Sequence, residues 1–313
     1  MNIGNQEILA GQIKTIEFNI AKLPSHSSID ISVTVARGKE PGPVLLLLGG
    51  LHGDEINGIE IVRRMIENKW NVPERGSTIC IPILNIFGFI HFSRYVPDGK
   101  DVNRSFPGSK SGSLASRVAY YLMKEIIPKM DYGIDFHTGG DDRSNFPQVR
   151  CMMNDPENAE LAKAFHAPFS LNSPYRPKSL RQSAAKLGKK ILVYEGGESS
   201  RFDEHAIQEG LDGTLRVMKH LNMHDKAVAE PSSVNVYCKS SSWIRAKASG
   251  IFQSNVKNGQ AVAKGQIVGH ITDPFGDFKV PVKSTYHGYV IGLNNNPIIH
   301  QGDAVMHIGI EKE

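Results

Sequence analysis

Residues 43–58 read PVLLLLGGLHGDEING, and this stretch decides the fold that we expect. Its apolar first part, residues 43–48, predicts a buried strand, and the two glycines after it predict a turn at the strand's end. His52 and Glu55 follow just beyond that turn. Because functional sites in open α/β sheets gather at the carboxyl ends of the strands, this pair is well placed to offer an imidazole and a carboxylate to one metal ion.

A second apolar strand supplies a third candidate ligand. Residues 132–136 run into His137, which is followed by Thr-Gly-Gly. Catalytic zinc usually takes three protein ligands and keeps a fourth position for water, so His52, Glu55 and His137 predict one Zn²⁺ per chain. Asp135 points to the same face of the strand as His137, because side chains alternate along a strand. It is therefore the candidate for fixing the tautomer of an imidazole ligand.

A third strand, residues 190–195, ends in a carboxylate and two glycines. A zinc hydrolase needs a base that takes a proton from water and returns it to the leaving amine. Glu195 lies at a suitable place for that role. Glu198, three residues further along, is the alternative.

The stretch 93–108, SRYVPDGKDVNRSFPG, has the composition of a loop. Asn103 and Arg104 are adjacent donors within it, and arginine is well suited to bidentate capture of a carboxylate. Arg94 adds a second cation, which could hold a substrate carboxylate or stabilise a developing oxyanion. Arg150, on another predicted strand, could also reach the pocket, but it is not selected as a site residue.

These four motifs together resemble the succinylglutamate desuccinylase/aspartoacylase family, which belongs with the zinc carboxypeptidases. The motifs H-x-x-E, D-x-N-R-x-F-x-G, D-x-H-T-G and E-G-G appear in that order across roughly residues 24–225. The residues within these motifs resemble those of the broad predicted-deacylase branch of the family more than those of aspartoacylase itself. The resemblance implies the following roles: zinc ligation by His52, Glu55 and His137, carboxylate binding by Asn103 and Arg104, oxyanion stabilisation by Arg94, and general base and acid catalysis by Glu195.

Strand-like and helix-like runs alternate from about residue 27 to residue 222. This alternation predicts an α/β fold with helices on both faces of a largely parallel sheet. The family resemblance implies that this sheet is mixed and similar to that of the zinc carboxypeptidases. We expect residues 1–228 to form the zinc-dependent hydrolase domain. Within it, residues 1–26 are expected to form a strand segment that packs on a C-terminal β domain.

Residues 234–313 lose the helical periodicity and consist of short alternating runs separated by glycine and asparagine, which predicts an all-β domain. Two copies of a similar pattern, near 249–271 and 287–308, resemble the barrel-sandwich fold of lipoyl domains. A swinging-arm role is rejected, because the carrier position falls near Asp277 and Lys279 is about two residues away from it. We expect an accessory domain that walls the mouth of the site or mediates oligomer contacts.

Composition restricts the functional classes. The formal net charge of +4 is small and dispersed, which argues against a nucleic-acid partner. No stretch approaches the roughly 20 apolar residues that a membrane span needs. Three widely spaced cysteines predict reduced thiols in a cytoplasmic protein. The sequence leaves open whether the chain forms a homo-oligomer.

The leading interpretation is a zinc-dependent amidohydrolase that removes an acyl group from a small N-acyl amino acid or a related carboxylate-bearing amide. A zinc carboxypeptidase or peptide amidase would use the same residues and is the first alternative. A catalytically inactive binding module, built on the lipoyl-like C-terminal region, is the second.

Overall fold

The computed structural model of the chain describes residues 1–231 and 233–311. Its strands in chain order are β1 (Asn2–Ile3), β2 (Gln6–Glu7), β3 (Ile13–Lys22), β4 (Ser28–Arg37), β5 (Glu40–Leu48), β6 (Arg75–Ile81), β7 (Tyr132–Gly139), β8 (Arg143–Cys151), β9 (Phe169–Asn172), β10 (Lys190–Glu198), β11 (Val236–Arg245), β12 (Gly250–Ser254), β13 (Ala261–Val262), β14 (Ile267–Thr272), β15 (Lys279–Lys283), β16 (Gly288–Asn294), β17 (Ile298–Ile299) and β18 (Ala304–Glu311). Its α-helices are α1 (Ile56–Glu67), α2 (Ile86–Ile90), α3 (Leu114–Tyr121), α4 (Pro156–Phe165), α5 (Leu180–Ala185) and α6 (Glu204–His220).

Twelve strands form one continuous sheet in the order β13-β16-β18-β11-β9-β8-β10-β7-β5-β6-β4-β3. The central strands β6, β5, β7 and β10 are parallel neighbours, and so are β8, β9 and β11. The remaining pairs of this sheet are antiparallel. The expectation of a mixed sheet is confirmed, but the expectation of a largely parallel one is wrong. Antiparallel strands at both ends flank the parallel centre.

The two faces of this sheet bury separate apolar cores. In β5, Leu46 and Leu48 belong to one core, and Leu45 and Leu47 belong to the other. This division follows from the alternation of side chains along a strand. Helices α3 and α5 cover the first face, whereas α1, α4 and α6 cover the second. Helices therefore lie on both faces, as the continuous apolar run of β5 predicts.

The strands and helices expected between about residues 27 and 222 are present, from β4 to α6. The helical segment that begins with α3 is not uniform, because α3 is followed by a π-helical turn, Leu122–Ile126, and a 3₁₀ turn, Ile127–Lys129. Pro128 lies in that last turn and has no backbone N–H to continue the helical hydrogen bonds.

The N-terminal segment lies along one edge of the main sheet, and the domain assignment of residues 1–26 stays a prediction. Strand β3 pairs with β4 at the opposite end of the sheet from β13. Ile16 and Ile20 of β3 are buried in the first core, beside Val118 of α3. Burial of these isoleucines against α3 holds the segment at that edge.

The region after residue 234 contains only strands among its described residues, but a separate all-β domain is not confirmed. Strand β11 pairs with β9, and β16 pairs with both β18 and β8. The strands β8, β9, β11, β18 and β16 thereby close a ring of pairings. A second sheet, β15-β14-β12-β17, belongs to this region, which has its own apolar core. The boundary between residues 228 and 234 stays a prediction.

Candidate active site

The three predicted metal ligands converge at the carboxyl end of the central parallel strands. His52 and Glu55 lie between β5 and α1, and His137 lies near the end of β7, the neighbour of β5. All three side chains are buried, and one ligand atom from each lies within 4.8 Å of the others. The backbone at Gly53 lies close to α2: a Cβ atom added to Gly53 would lie 2.0 Å from the backbone of that helix. Only glycine therefore fits at position 53.

The donor atoms of this cluster lie close enough together to share one ion. His52 Nδ1 lies 3.1 Å from His137 Nδ1, and the two Glu55 oxygens lie 2.8 Å from His52 Nδ1 and 2.6 Å from His137 Nδ1. Two nitrogens bound to one tetrahedral zinc at about 2.0–2.1 Å would lie roughly 3.3 Å apart, close to the observed nitrogen separation, whereas the two Glu55 contacts have the length of hydrogen bonds. The donor set of two imidazoles and one carboxylate therefore fits a metal such as zinc.

Each imidazole has a carboxylate beside its other nitrogen. Nε2 of His52 lies 3.2 Å from Asp101, and Nε2 of His137 lies 2.9 Å from Asp135. The His52 contact is a hydrogen bond, whereas that of His137 is within ion-pair distance only. A proton held at Nε2 would leave the Nδ1 lone pair free for a metal. Asp135 lies beside His137, and its role in fixing the tautomer stays a prediction. Asp101 was missed, although it belongs to the same loop motif as Asn103.

The pKa shifts within the cluster favour ionised carboxylates, as a site for a cation requires. Burial alone would raise the pKa of Glu55, but His52 and His137 hold it well below its usual value. Burial alone would lower the pKa of His137, but Asp135 and Glu55 hold it well above its usual value. Burial opposes ionisation of Asp101 as well, yet His52 and Arg94 lower the pKa of that carboxyl. In the absence of metal, protons therefore supply the positive charge.

Glu195 faces the same pocket from β10. Its backbone pairs with that of His137 in the neighbouring strand β7. Asn145 Nδ2 donates to one carboxylate oxygen over 2.8 Å, and Arg150 Nη1 lies 3.0 Å from the other. Glu198, the alternative base, instead accepts a hydrogen bond from Asn295 over 2.7 Å. Of the two glutamates, Glu195 is the one that lines the pocket with the predicted ligands.

The predicted anion-binding residues also reach the pocket. Arg94 Nη1 donates to Glu55 over 3.0 Å, and Arg94 Nη2 donates to Asp101 over the same distance. Asn103 uses its Oδ1 to cap the start of α5, accepting from Leu180 N over 2.9 Å, and so keeps its amide donors for other partners. Arg104 is exposed, and its Nη1 donates to the Asn103 carbonyl oxygen over 2.6 Å.

The pocket has a volume of about 420 Å³. Its lining includes several residues that were not selected from the sequence, namely Arg143, Asn145, Arg150, Arg176, Arg181 and Trp243. Trp243 comes from β11 and stacks on His307 of β18, with ring centroids 4.3 Å apart. Trp243 is the residue of the C-terminal strands that lines the pocket, and a wider role of this region at the mouth of the site stays a prediction. Arginines in such number favour an anionic ligand.

Among the described residues, no helix is both long enough and apolar enough to cross a membrane.

Comparison with known proteins agrees with this geometry. The family model of the succinylglutamate desuccinylase/aspartoacylase catalytic domain matches residues 41–221. N-alpha-acetyl-L-2,4-diaminobutyric acid deacetylase of Halomonas elongata is 28% identical over 288 residues, which cover 86% of this chain and 83% of that protein.

Solved structures have the same fold. The product-bound ectoine utilization protein EutE (DoeB) of Ruegeria pomeroyi superposes with a TM-score of 0.84 at 23% identity, covering 96% of this chain and 94% of that one. A succinylglutamate desuccinylase/aspartoacylase of Rhodobacter sphaeroides superposes with a TM-score of 0.85 at 23% identity, covering 96% and 95%. The family model matches more than half of the chain, so the protein belongs to the succinylglutamate desuccinylase/aspartoacylase family.

Proposed function

We propose that this protein is a zinc-dependent amidohydrolase that removes an acyl group from a small N-acyl amino acid. The observation that carries the proposal is the convergence of His52, Glu55 and His137 with Glu195 in one pocket. Catalytic zinc sites of the two-histidine, one-glutamate type need such a set of ligands together with a proton acceptor nearby.

Each side chain of the pocket has a distinct task in this proposal. A bound zinc ion would polarise the scissile carbonyl and make water a stronger acid. Glu195 takes a proton from the attacking water and later delivers it to the leaving amine. Arg94 is half-buried beside the ligands and would donate hydrogen bonds to the developing oxyanion. Asn103 and Arg104 hold the substrate carboxylate with charge-assisted hydrogen bonds.

The comparisons narrow the substrate class. The Halomonas elongata relative is named for the deacetylation of an N-acetylated amino acid. The same bond type in this chain's substrate would be a linear amide between an acyl group and an amino-acid nitrogen. The volume of the pocket, about 420 Å³, is at the small end of the range for ligand sites, which favours a small substrate over the end of a polypeptide chain.

The two alternatives differ from this proposal in what the pocket would hold. A carboxypeptidase or peptide amidase would accept a peptide through the same ligands and base. An inactive binding module would bind without turnover. The intact set of metal ligands and base supports an enzyme rather than a module. Cytoplasmic location stays a prediction, to which the three buried, free cysteines lend support.

The experiment is a substrate panel run with a metal analysis. Purified protein is assayed for amine release from N-acetyl and N-succinyl amino acids and from dipeptides, with and without a chelator. We expect chelator-sensitive release from the N-acyl amino acids and weaker activity on dipeptides. Faster release from the dipeptides would favour the carboxypeptidase alternative. Binding of zinc with no turnover of any substrate would favour the module.

A further inference from the structure

Glu195 is held on both sides by residues of a single strand, β8. Asn145 Nδ2 donates to Oε2 over 2.8 Å, and Arg150 Nη1 lies 3.0 Å from Oε1. Asn145 is 7% exposed, and the side chains of Arg150 and Glu195 are 20% and 13% exposed. Partly buried groups bonded in this way lose most of their rotational freedom. The carboxylate is therefore fixed by two donors that the sequence did not single out.

These two donors are themselves braced by β16 of the C-terminal region. Gln148, which is fully buried, donates from Nε2 to the Ile291 carbonyl oxygen over 2.8 Å. Its Oε1 accepts a hydrogen bond from Arg150 Nε over 3.2 Å. A chain of hydrogen bonds therefore runs from the backbone of β16 through Gln148 and Arg150 to Glu195.

A second connection runs through a glycine. Gly292 of β16 pairs with Asn145 across the β8–β16 ladder. A Cβ atom at position 292 would lie 2.8 Å from Asn145 Oδ1 and 3.3 Å from His307 Cβ. The absence of a side chain at Gly292 lets β16 lie against Asn145 while that residue keeps its bond to Glu195.

We propose that Asn145 and Arg150 are positioning residues for Glu195, and that β16 keeps them in place through Gln148 and Gly292. This inference rests on the proposed function, in which Glu195 is the general base. In this proposal the C-terminal strands have a role in catalysis in addition to placing Trp243 in the lining of the pocket. A misplaced general base lowers turnover because proton transfer depends steeply on geometry.

The first test compares Asn145→Ala with Ser144→Ala. Ser144 is the neighbouring residue of β8 and accepts a hydrogen bond from Asn258 of the C-terminal region over 2.8 Å. The control thus loses a link to the C-terminal region without losing a contact to Glu195. With an N-acyl amino acid that the wild type hydrolyses, Asn145→Ala should lower kcat roughly 10- to 100-fold, with KM and bound zinc nearly unchanged. Ser144→Ala should retain wild-type kcat.

Four further variants keep the test independent of folding defects. Arg150→Met should lower kcat, and Arg150→Lys should restore part of it, because lysine can still pair with Glu195. Gly292→Ala should lower kcat as Asn145→Ala does, and the double variant should be no slower than Asn145→Ala alone.

Several outcomes would overturn the proposal. Wild-type kcat in both Asn145→Ala and Arg150→Met would show that neither residue positions Glu195. A rise in KM at constant kcat would make Asn145 a substrate-binding residue instead. If the double variant Asn145→Ala/Gly292→Ala loses more kcat than Asn145→Ala alone, Gly292 does not act through Asn145, and the inferred role of β16 is wrong. If the wild-type protein shows no turnover, the proposed function itself fails. That result is distinguishable from the three outcomes above, because each of them is measured against an active wild type.

Discussion

Asp101 Oδ1 lies 3.2 Å from Nε2 of His52, on the side of the imidazole that faces away from the predicted metal position. The other oxygen of the same carboxylate lies 3.0 Å from Arg94 Nη2. Asp101 therefore fixes the orientation of a metal ligand and, at the same time, the position of the cation proposed to stabilise the oxyanion. One residue of the 93–108 loop thus contacts both a predicted metal ligand and the arginine proposed to stabilise the oxyanion.

Replacing Asp101 with alanine should weaken zinc binding. His52 would lose the acceptor that holds its Nε2 proton, and substitutions of such partners typically cost about 10- to 100-fold in affinity or activity. The measurement is zinc affinity by competition with a chromogenic chelator. Asp98→Asn, a change of an exposed carboxylate in the same loop, is the matched control. Equal zinc affinities for the two variants would refute the role of Asp101.

Glu195→Gln should abolish most turnover while leaving the metal in place. The amide keeps the shape of the side chain but cannot accept the proton of water, and general base catalysis usually contributes about 10²–10⁴-fold to a rate. Steady-state assays and zinc analysis on the same preparation would check both parts. Full activity in this variant would remove Glu195 from the mechanism and return attention to Glu198.

Arg104→Gln should raise KM for N-acyl amino acids more than it lowers kcat. The proposed contact is with a carboxylate that is present in the ground state as well as the transition state, and loss of such uniform binding appears mainly in KM. A hydrogen bond to a charged group is worth about 1.5–3 kcal/mol, which corresponds to roughly a 10- to 150-fold rise. Lys110→Gln, at an exposed position of the following segment, should leave KM unchanged. A purely kcat effect of Arg104→Gln would contradict substrate anchoring.

Zinc affinity should fall as the pH is lowered. Asp135 and Glu55, overcoming the effect of burial, hold the pKa of His137 well above its usual value, so that the metal-free site retains a proton there near neutral pH. Zinc must displace that proton, because only the neutral imidazole can be a ligand. Binding should therefore release a proton and become tighter with rising pH until His137 loses its proton unaided. Calorimetric titration in two buffers of different ionisation enthalpy would measure the release. Affinity that does not vary between about pH 6 and pH 8 would contradict this account.

The positions of the site residues could be predicted because their signals are local. Apolar strands that end in glycine-bounded histidines and carboxylates indicate the carboxyl edge of a sheet, and His52, Glu55, His137 and Glu195 do meet there. Asp135 is likewise found beside His137. Each of these expectations depends on only one strand and the residues just beyond it.

What could not be predicted depends on contacts between distant segments. Arg150 looks like an ordinary strand residue until β8 is seen to pair with β10, which brings it to Glu195. Trp243 reaches the pocket only because β11 continues the main sheet beside β9. The same pairing explains why the C-terminal strands are not seen as a separate domain. No periodicity in the sequence reports which strand edges meet across such distances.

The central claim is that the His52, Glu55 and His137 cluster holds a catalytic zinc ion. The most direct measurement is the zinc content and deacylase activity of purified wild-type protein beside His137→Ala, each assayed with N-acyl amino acids before and after chelation. The account predicts about one zinc per wild-type chain, activity that chelation removes and zinc restores, and neither zinc nor activity in the variant. Wild-type activity that survives complete removal of metal, or a variant that keeps both zinc and activity, would contradict it.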